Sequence, residues 1–308
     1  MTPPLDAPLL DHTDDAVARP LPAALARARQ DITAAARTLL AIPEATLVRP
    51  WVWRPDGQEE VRYGAYRAAE ALEQAEIEAR TAVSGLDATE RRAARIVGPA
   101  TAARWDLHGL LLPSDAMLDA DPGNDEWSIR LVLGHVIGSQ RAYGWGTAWW
   151  RAQSFDLADP ALPKAIPDGF WATMPDEATT EAEGGLDDLL ARLDAVMDLS
   201  AERLAGVPDP QLDLGARWSG FPVTVGFRLA RWGSHIREHI IQIEKTFAML
   251  GHDPSEPARL ARHVLAAYGR AEATVFGRAE VDAGVARIAA GVREAAEAID
   301  AAGAAAGA

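Results

Sequence analysis

The chain contains no cysteine. Disulfide staples, thiolate metal ligands and a cysteine nucleophile are therefore excluded, so any catalytic or metal chemistry must come from histidine, carboxylates, hydroxyls or a bound cosubstrate. Basic charge is also short: 30 Lys and Arg stand against 45 Asp and Glu, a formal net charge of -15. Phosphate backbones and anionic membrane surfaces need a basic footprint, and no basic stripe with interleaved aromatics occurs, so neither nucleic acid nor membrane is an expected partner. No apolar run approaches the roughly 18 residues of a membrane span. The first twenty residues, MTPPLDAPLLDHTDDAVARP, carry neither a basic n-region nor a long apolar core, and a cytoplasmic location is the expectation.

Alternating β-branched runs are scarce, whereas Ala-, Leu-, Glu- and Arg-rich blocks dominate, so the expected fold class is all-α. Residues 1–19 read as a loose tail. Helices are expected at about 22–41, 59–84, 86–111, 125–151, 186–206, 221–250, 256–275 and 280–302. Gly251 is the expected C′ residue of the sixth. Between the first two, LVRPWVWRPDGQ is strand-like or irregular because Pro50, Pro55 and Gly57 interrupt any helix. A long Pro- and acid-rich connection over 154–185 is of the kind that covers a site or stays disordered. The third to sixth helices suit one four-helix bundle. The first, second, seventh and eighth either form another or clad the first. This divides the chain into accessory helices at 20–85, a central bundle at 86–252 and further accessory helices at 253–308.

Seven histidines are present. His12, His108, His252 and His263 have no partner at helical spacing and read as structural or solvated. His235 and His239, in WGSHIREHIIQIE, are an i,i+4 pair that projects two imidazoles from one helix face, where they either bind one divalent ion in adjacent positions or are two ordinary histidines. On the same stripe lie Arg228, Trp232 and Gln242, beside an apolar stripe of Leu229, Ile236, Ile240, Ile243 and Phe247. A third histidine, His135, sits mid-helix in WSIRLVLGHVIGSQRAY among Leu131, Val132, Leu133, Val136 and Ile137. An inward imidazole needs hydrogen bonds or a metal to offset its lost hydration. Along its stripe Ser128, Gly138, Ser139, Ala142 and Gly146 are small, which leaves room for a ligand or for close helix packing.

WSIRLVLGHV followed by HIREHIIQI resembles the DinB-like metal-binding four-helix bundles, which include S-transferases and isomerases that use mycothiol, bacillithiol or glutathione. Trp127, Ser128, His135, His235, His239, Gln242 and Ile243 carry the resemblance, which spans about 86–251. It implies that His135, His235 and His239 hold one divalent ion, zinc first and nickel or iron as alternatives, with positions left open for water or a thiolate. It further implies a metal-dependent transferase that activates a low-molecular-weight thiol toward a small-molecule substrate, or an isomerase; the alternative is a non-catalytic metal-binding or stress protein. Homodimers are common in such bundles. Members often carry Glu soon after the first histidine, where this chain has Ser139-Gln140, so that helix lacks the expected acid.

Tyr143, Arg228, Trp232 and Gln242 are the candidate substrate-binding residues; Arg231 and Arg237 are further cations near the pair. Trp145, Trp149, Trp150 and Trp171 either line a pocket under the long connection or pack in the core or at a dimer contact. HIREH also spells H-x-x-E-H, the signature of one class of metal-dependent hydrolase, a zinc peptidase. There Glu238 would be the base and a later acid such as Glu272, Glu280 or Glu294 the third ligand. On an ideal helix Glu238 points about 100° away from His239, which marks it as an exposed bystander.

Overall fold

The structure is a computed structural model and describes residues 21–53, 57–84, 92–278 and 281–307. The expected tail, Pro55, the start of the third helix at 86 and the start of the eighth at 280 lie outside the described residues.

The elements follow in the order α1 (Ala23–Ala41), β1 (Pro50–Trp51), β2 (Glu59–Glu60), α2 (Tyr63–Ser84), α3 (Arg92–Leu111), α4 (Ile129–Arg141), α5 (Thr147–Gln153), α6 (Asp168–Trp171), α7 (Leu186–Leu204), β3 (Gly215–Trp218), β4 (Phe221–Thr224), α8 (Val225–Met249), α9 (Glu256–Ala273) and α10 (Asp282–Gly307). The fold is all-α apart from two small antiparallel hairpins.

Three helix starts differ from the sequence expectation, each for a local reason. Glu59 and Glu60 pair with Trp51 and Pro50 instead of opening α2. Residues 125–128 stay outside α4, because the Ser128 hydroxyl accepts from the Leu131 N–H and so caps the helix at Ile129. Residues 221–224 form β4 against β3, with Trp218 opposite Phe221 across the two-residue turn Ser219-Gly220. Both turn residues have positive φ, 46° and 83°, as a hairpin turn of this length favours. Only then does Thr224 cap α8 by accepting from the Phe227 N–H. At the other end of α8, Gly251 has φ +69°, and the His252 and Gly251 N–H groups reach the Phe247 and Ala248 carbonyls. That is a Schellman closure, as expected.

The helix expected over 125–151 is interrupted: α4 and α5 are joined by a π-helical turn at Ala142–Gly146. Such turns are rare and concentrate at functional sites.

Buried apolar side chains fall into two clusters. One joins α3, α4, α5, α7 and α8 around residues such as Leu107, Leu133, Val136, Leu193, Leu229 and Ile236. The other joins α1, α2, α9 and α10, with Trp105 of α3 packed into it. The helices before and after the central bundle therefore pack as a second bundle, and α3 serves both.

An ion network spans the two clusters. The buried Glu272 carboxylate of α9 accepts from Arg29 Nε at 3.0 Å, Thr101 Oγ1 at 2.9 Å and Trp105 Nε1 at 3.2 Å, and also pairs with Arg104. Arg29 and Arg104 both continue to Asp198 of α7, each donating to Oδ1 at 2.9 Å. Burial alone would raise the Glu272 carboxyl, but Arg29 and Arg104 more than offset it and hold the group at about 2.

Candidate metal centre

α4 contributes His135, and α8 contributes His235 and His239 one turn apart. Their ligand-capable atoms all lie within 4.8 Å of one another. The Nε2 atoms of His235 and His239 are 3.1 Å apart. Zinc–nitrogen bonds of about 2.0–2.1 Å at a tetrahedral angle place neighbouring ligand nitrogens roughly 3.3 Å apart, so the pair is spaced for adjacent positions on one ion.

The outer ring nitrogens fix which atoms face inward. His135 Nδ1 donates to the Glu177 carboxylate at 2.7 Å, and His239 Nδ1 donates to the Gln242 side-chain oxygen at 2.8 Å. With its proton on Nδ1, each ring turns a bare Nε2 lone pair toward the others, which is the arrangement outer partners impose on metal-ligating histidines. Burial, reinforced by His239, His135 and Arg231, holds His235 down at about 3. His239 is also lowered, mainly by burial, with the Gln242 hydrogen bond acting the other way. Both stay neutral near pH 7, the state a metal ligand needs. Three converging imidazoles, of which His235 and His239 are held neutral, fit a divalent transition metal such as zinc, nickel or iron.

Glu177 was not anticipated from the sequence. It comes from the long connection 154–185, which is folded over α4. The Gly134 and Gly138 positions make this possible: a side chain at Gly134 would strike the Glu177 carbonyl oxygen, and one at Gly138 would strike its side chain. The small stripe beside His135 thus admits a carboxylate from a loop. That carboxylate stands next to the first histidine although α4 itself carries Ser139-Gln140. Nothing in the sequence distinguishes Glu177 from Asp176, Glu181 or Glu183. Glu181, for comparison, is buried against Arg141.

Next to the histidines opens a cavity of about 230 Å³. Ser139 and Tyr143 belong to both: the Ser139 hydroxyl is 3.4 Å from His135 Nε2, and the Tyr143 ring centre is 5.5 Å from that of His235. Tyr143 stacks on Trp218 at 5.3 Å, and burial pushes its hydroxyl well above the usual phenol range against the pull of Arg231 and Arg228. Trp150 and Trp171 line the cavity beneath the long connection. Trp145 is fully buried in the bundle core, and Trp149 packs at that core's edge.

The other sequence candidates divide. Arg228 lines the cavity. Gln242 orients His239. Trp232 is fully buried in the bundle core, 6.0 Å from the Phe276 ring, and is not among the cavity's lining residues. Arg231 is paired with Glu238 through two 2.6 Å bonds, and Arg237 is exposed. Of the acids that the H-x-x-E-H reading needs, Glu272 is committed to the ion network, Glu294 is exposed and Glu280 lies outside the described residues. Glu238 is therefore not a free base, and neither Glu272 nor Glu294 supplies that reading's third ligand.

The sequence profile of the DinB superfamily matches residues 24–243, and so takes in α1 and α2 as well as the three histidines. Neither a curated protein nor a solved structure matches the chain. With well over half of its length inside the match, the chain belongs to the DinB superfamily.

Proposed function

We propose that this protein is a metal-dependent transferase that presents a low-molecular-weight thiol as its thiolate to a small electrophile, by transfer or by isomerisation. His135, His235 and His239 would hold one divalent ion, zinc first and nickel or iron as alternatives. The observation that carries the reading is the convergence of three imidazoles beside a cavity. When bound, the ion supplies Lewis acidity that lowers a thiol's pKa, so that a thiolate exists near neutral pH.

The remaining work falls to the chain's own groups. Glu177 and Gln242 hold the His135 and His239 protons on Nδ1 and fix both rings in place. Tyr143, kept protonated by burial, offers an O–H donor at the boundary between histidines and cavity. The connection 154–185, through Ile166 and Trp171, covers the cavity and limits the water that can compete with the thiolate. Because the protein has no cysteine, no thiol of its own competes for the ion.

The test is metal-reconstituted protein assayed with glutathione, bacillithiol and mycothiol against an activated chloronitroarene. The expected result is conjugation that requires both metal and thiol and is lost in His135→Ala. Metal binding without conjugation by any of the three thiols would replace this reading with a non-catalytic metal-binding role. Among the described residues no helix is long and apolar enough to cross a membrane, so the assay is framed for aqueous small-molecule substrates.

A further inference from the structure

The cavity beside the histidines has a charge pattern opposite to that of the molecule. Lys164, Arg217 and Arg228 line it and no acidic residue does, in a chain with 45 acidic and 30 basic side chains. Arg228 is the decisive group. Its side chain is buried, yet its hydrogen bonds go only to neutral oxygens: Nε to Thr147 Oγ1 at 3.1 Å, Nη1 to the Arg217 carbonyl at 2.7 Å and Nη2 to the Ala142 carbonyl at 3.4 Å. A guanidinium has five N–H donors, so these bonds leave two for a ligand.

Burial without a carboxylate partner pulls Arg228 down to about 10, which is unusual for arginine. The contrast with the network between the bundles is direct, since there the buried Arg29 and Arg104 each meet carboxylates. Unpaired buried charge is costly, and proteins normally avoid it. Arg217 likewise donates only to carbonyls, of Pro163, Gly220 and Leu162. The fold has prepared for Arg228: Gly146, in the π-helical turn, leaves space that a Cβ would take from its guanidinium and from Ile166.

The cavity walls are aromatic. Trp150, Trp171, Trp218 and Tyr143 face it, and Trp218 lies under the Arg228 guanidinium at 5.9 Å. Its volume, about 230 Å³, exceeds the roughly 150 Å³ of an engineered apolar cavity that holds benzene. One planar ring and a carboxylate fit.

We propose that this cavity is a subsite for a small organic carboxylate with a flat apolar body. Arg228 binds the carboxylate, supported by Arg217 and Lys164, and the tryptophans hold the body with its far end toward Ser139, Tyr143 and the histidines. The proposal rests on the metal-dependent reading only for which end of the ligand reacts; the carboxylate subsite stands on the cavity itself. The carboxylate can belong to the electrophile or to the thiol.

The experiment compares trans-cinnamate with cinnamamide, which has the same shape without the charge, by calorimetric titration of metal-free and zinc-loaded protein at fixed ionic strength. The expected result is at least a tenfold preference for cinnamate, about 1.4 kcal/mol, that collapses in Arg228→Met and weakens in Arg217→Gln. Equal affinity for the two probes in the wild type overturns the proposal without reference to any variant. So does a preference that survives in both variants, and Arg217→Gln alone decides the variant arm if Arg228→Met does not fold. In zinc-loaded protein, displacement of cinnamate by 3-mercaptopropionate but not by 2-mercaptoethanol assigns the carboxylate to the thiol; cinnamate that stays bound with either assigns it to the electrophile. Metal content measured on the same samples separates two failures. In the zinc-loaded samples, bound metal with no carboxylate preference counts against the subsite alone, and carboxylate preference with no zinc retained counts against the metal centre alone.

Discussion

Replacing Glu177 with alanine removes the acceptor that holds the His135 proton on Nδ1. The ring is then free to rotate and to take the other tautomer, and both changes spoil its Nε2 as a ligand. Loss of such an outer partner typically lowers metal affinity 10–100-fold, which is about 1.4–2.8 kcal/mol. The bond is short at 2.7 Å, but the Glu177 side chain is 46% exposed and that of His135 27%, so water can take the carboxylate's place. The lower end applies: about tenfold for Glu177→Ala, and less for Glu177→Gln, whose amide oxygen still accepts from Nδ1. A zinc competition titration against a chromophoric chelator at pH 7 measures this. An affinity for Glu177→Ala within twofold of wild type would refute the orienting role.

Other outcomes follow from the same geometry. Gly138→Ala puts a Cβ where the Glu177 side chain lies, so it should weaken zinc binding as Glu177→Ala does, and the double variant should be no worse than either; additive losses in the same titration would separate the two residues. Arg104→Met strips a charge partner from Glu272 and Asp198, and urea unfolding should show a loss of about 3 kcal/mol. Arg37→Met, which breaks an exposed pair with Asp187, should cost less than about 0.5 kcal/mol. Because Glu272 is held at about 2, below its unfolded value, its contribution is complete above about pH 4.5 and is lost as pH falls toward 2; Arg104→Met should flatten that limb of the stability–pH curve. His235 is held at about 3 against 6.5 in the unfolded chain, so its contribution to the metal-free protein is complete above pH 6.5 and declines below it. Unfolding midpoints of His235→Gln should accordingly change less between pH 7.5 and pH 5 than those of wild type.

The clustering of the three histidines was legible in the sequence because they sit on regular structure. An i,i+4 pair on a helix has a fixed projection, and His135 lay among apolar neighbours that had to face inward. Helix order left open whether the outer helices clad the central bundle or form their own, and their packing around a second apolar cluster is visible only in the folded chain. What else stayed hidden came from irregular backbone. Ser219-Gly220 builds a hairpin that places Arg217 and Trp218 in the cavity, and the helix expected from 221 takes in its second strand. The π-helical turn at Ala142–Gly146 leaves no mark in the apolar pattern, yet it opens at the residue before Tyr143. Eight residues along an ideal helix would put Tyr143 about 80° around from His135, and the structure brings it beside His235. Glu177 lies in the irregular connection between α6 and α7, so only the folded chain reveals its partner. Trp232 shows the opposite case: it lies on the helix that carries the histidine pair, but its side chain is buried in the core and does not line the cavity.

The central claim is that His135, His235 and His239 form one metal centre. Metal analysis of protein purified without chelators, alongside His135→Ala and His239→Ala, tests it most directly. The account predicts close to one divalent ion per chain in the wild type and a large loss in each variant that remains folded. Equally little metal in all three proteins, or full occupancy in both variants, would contradict it.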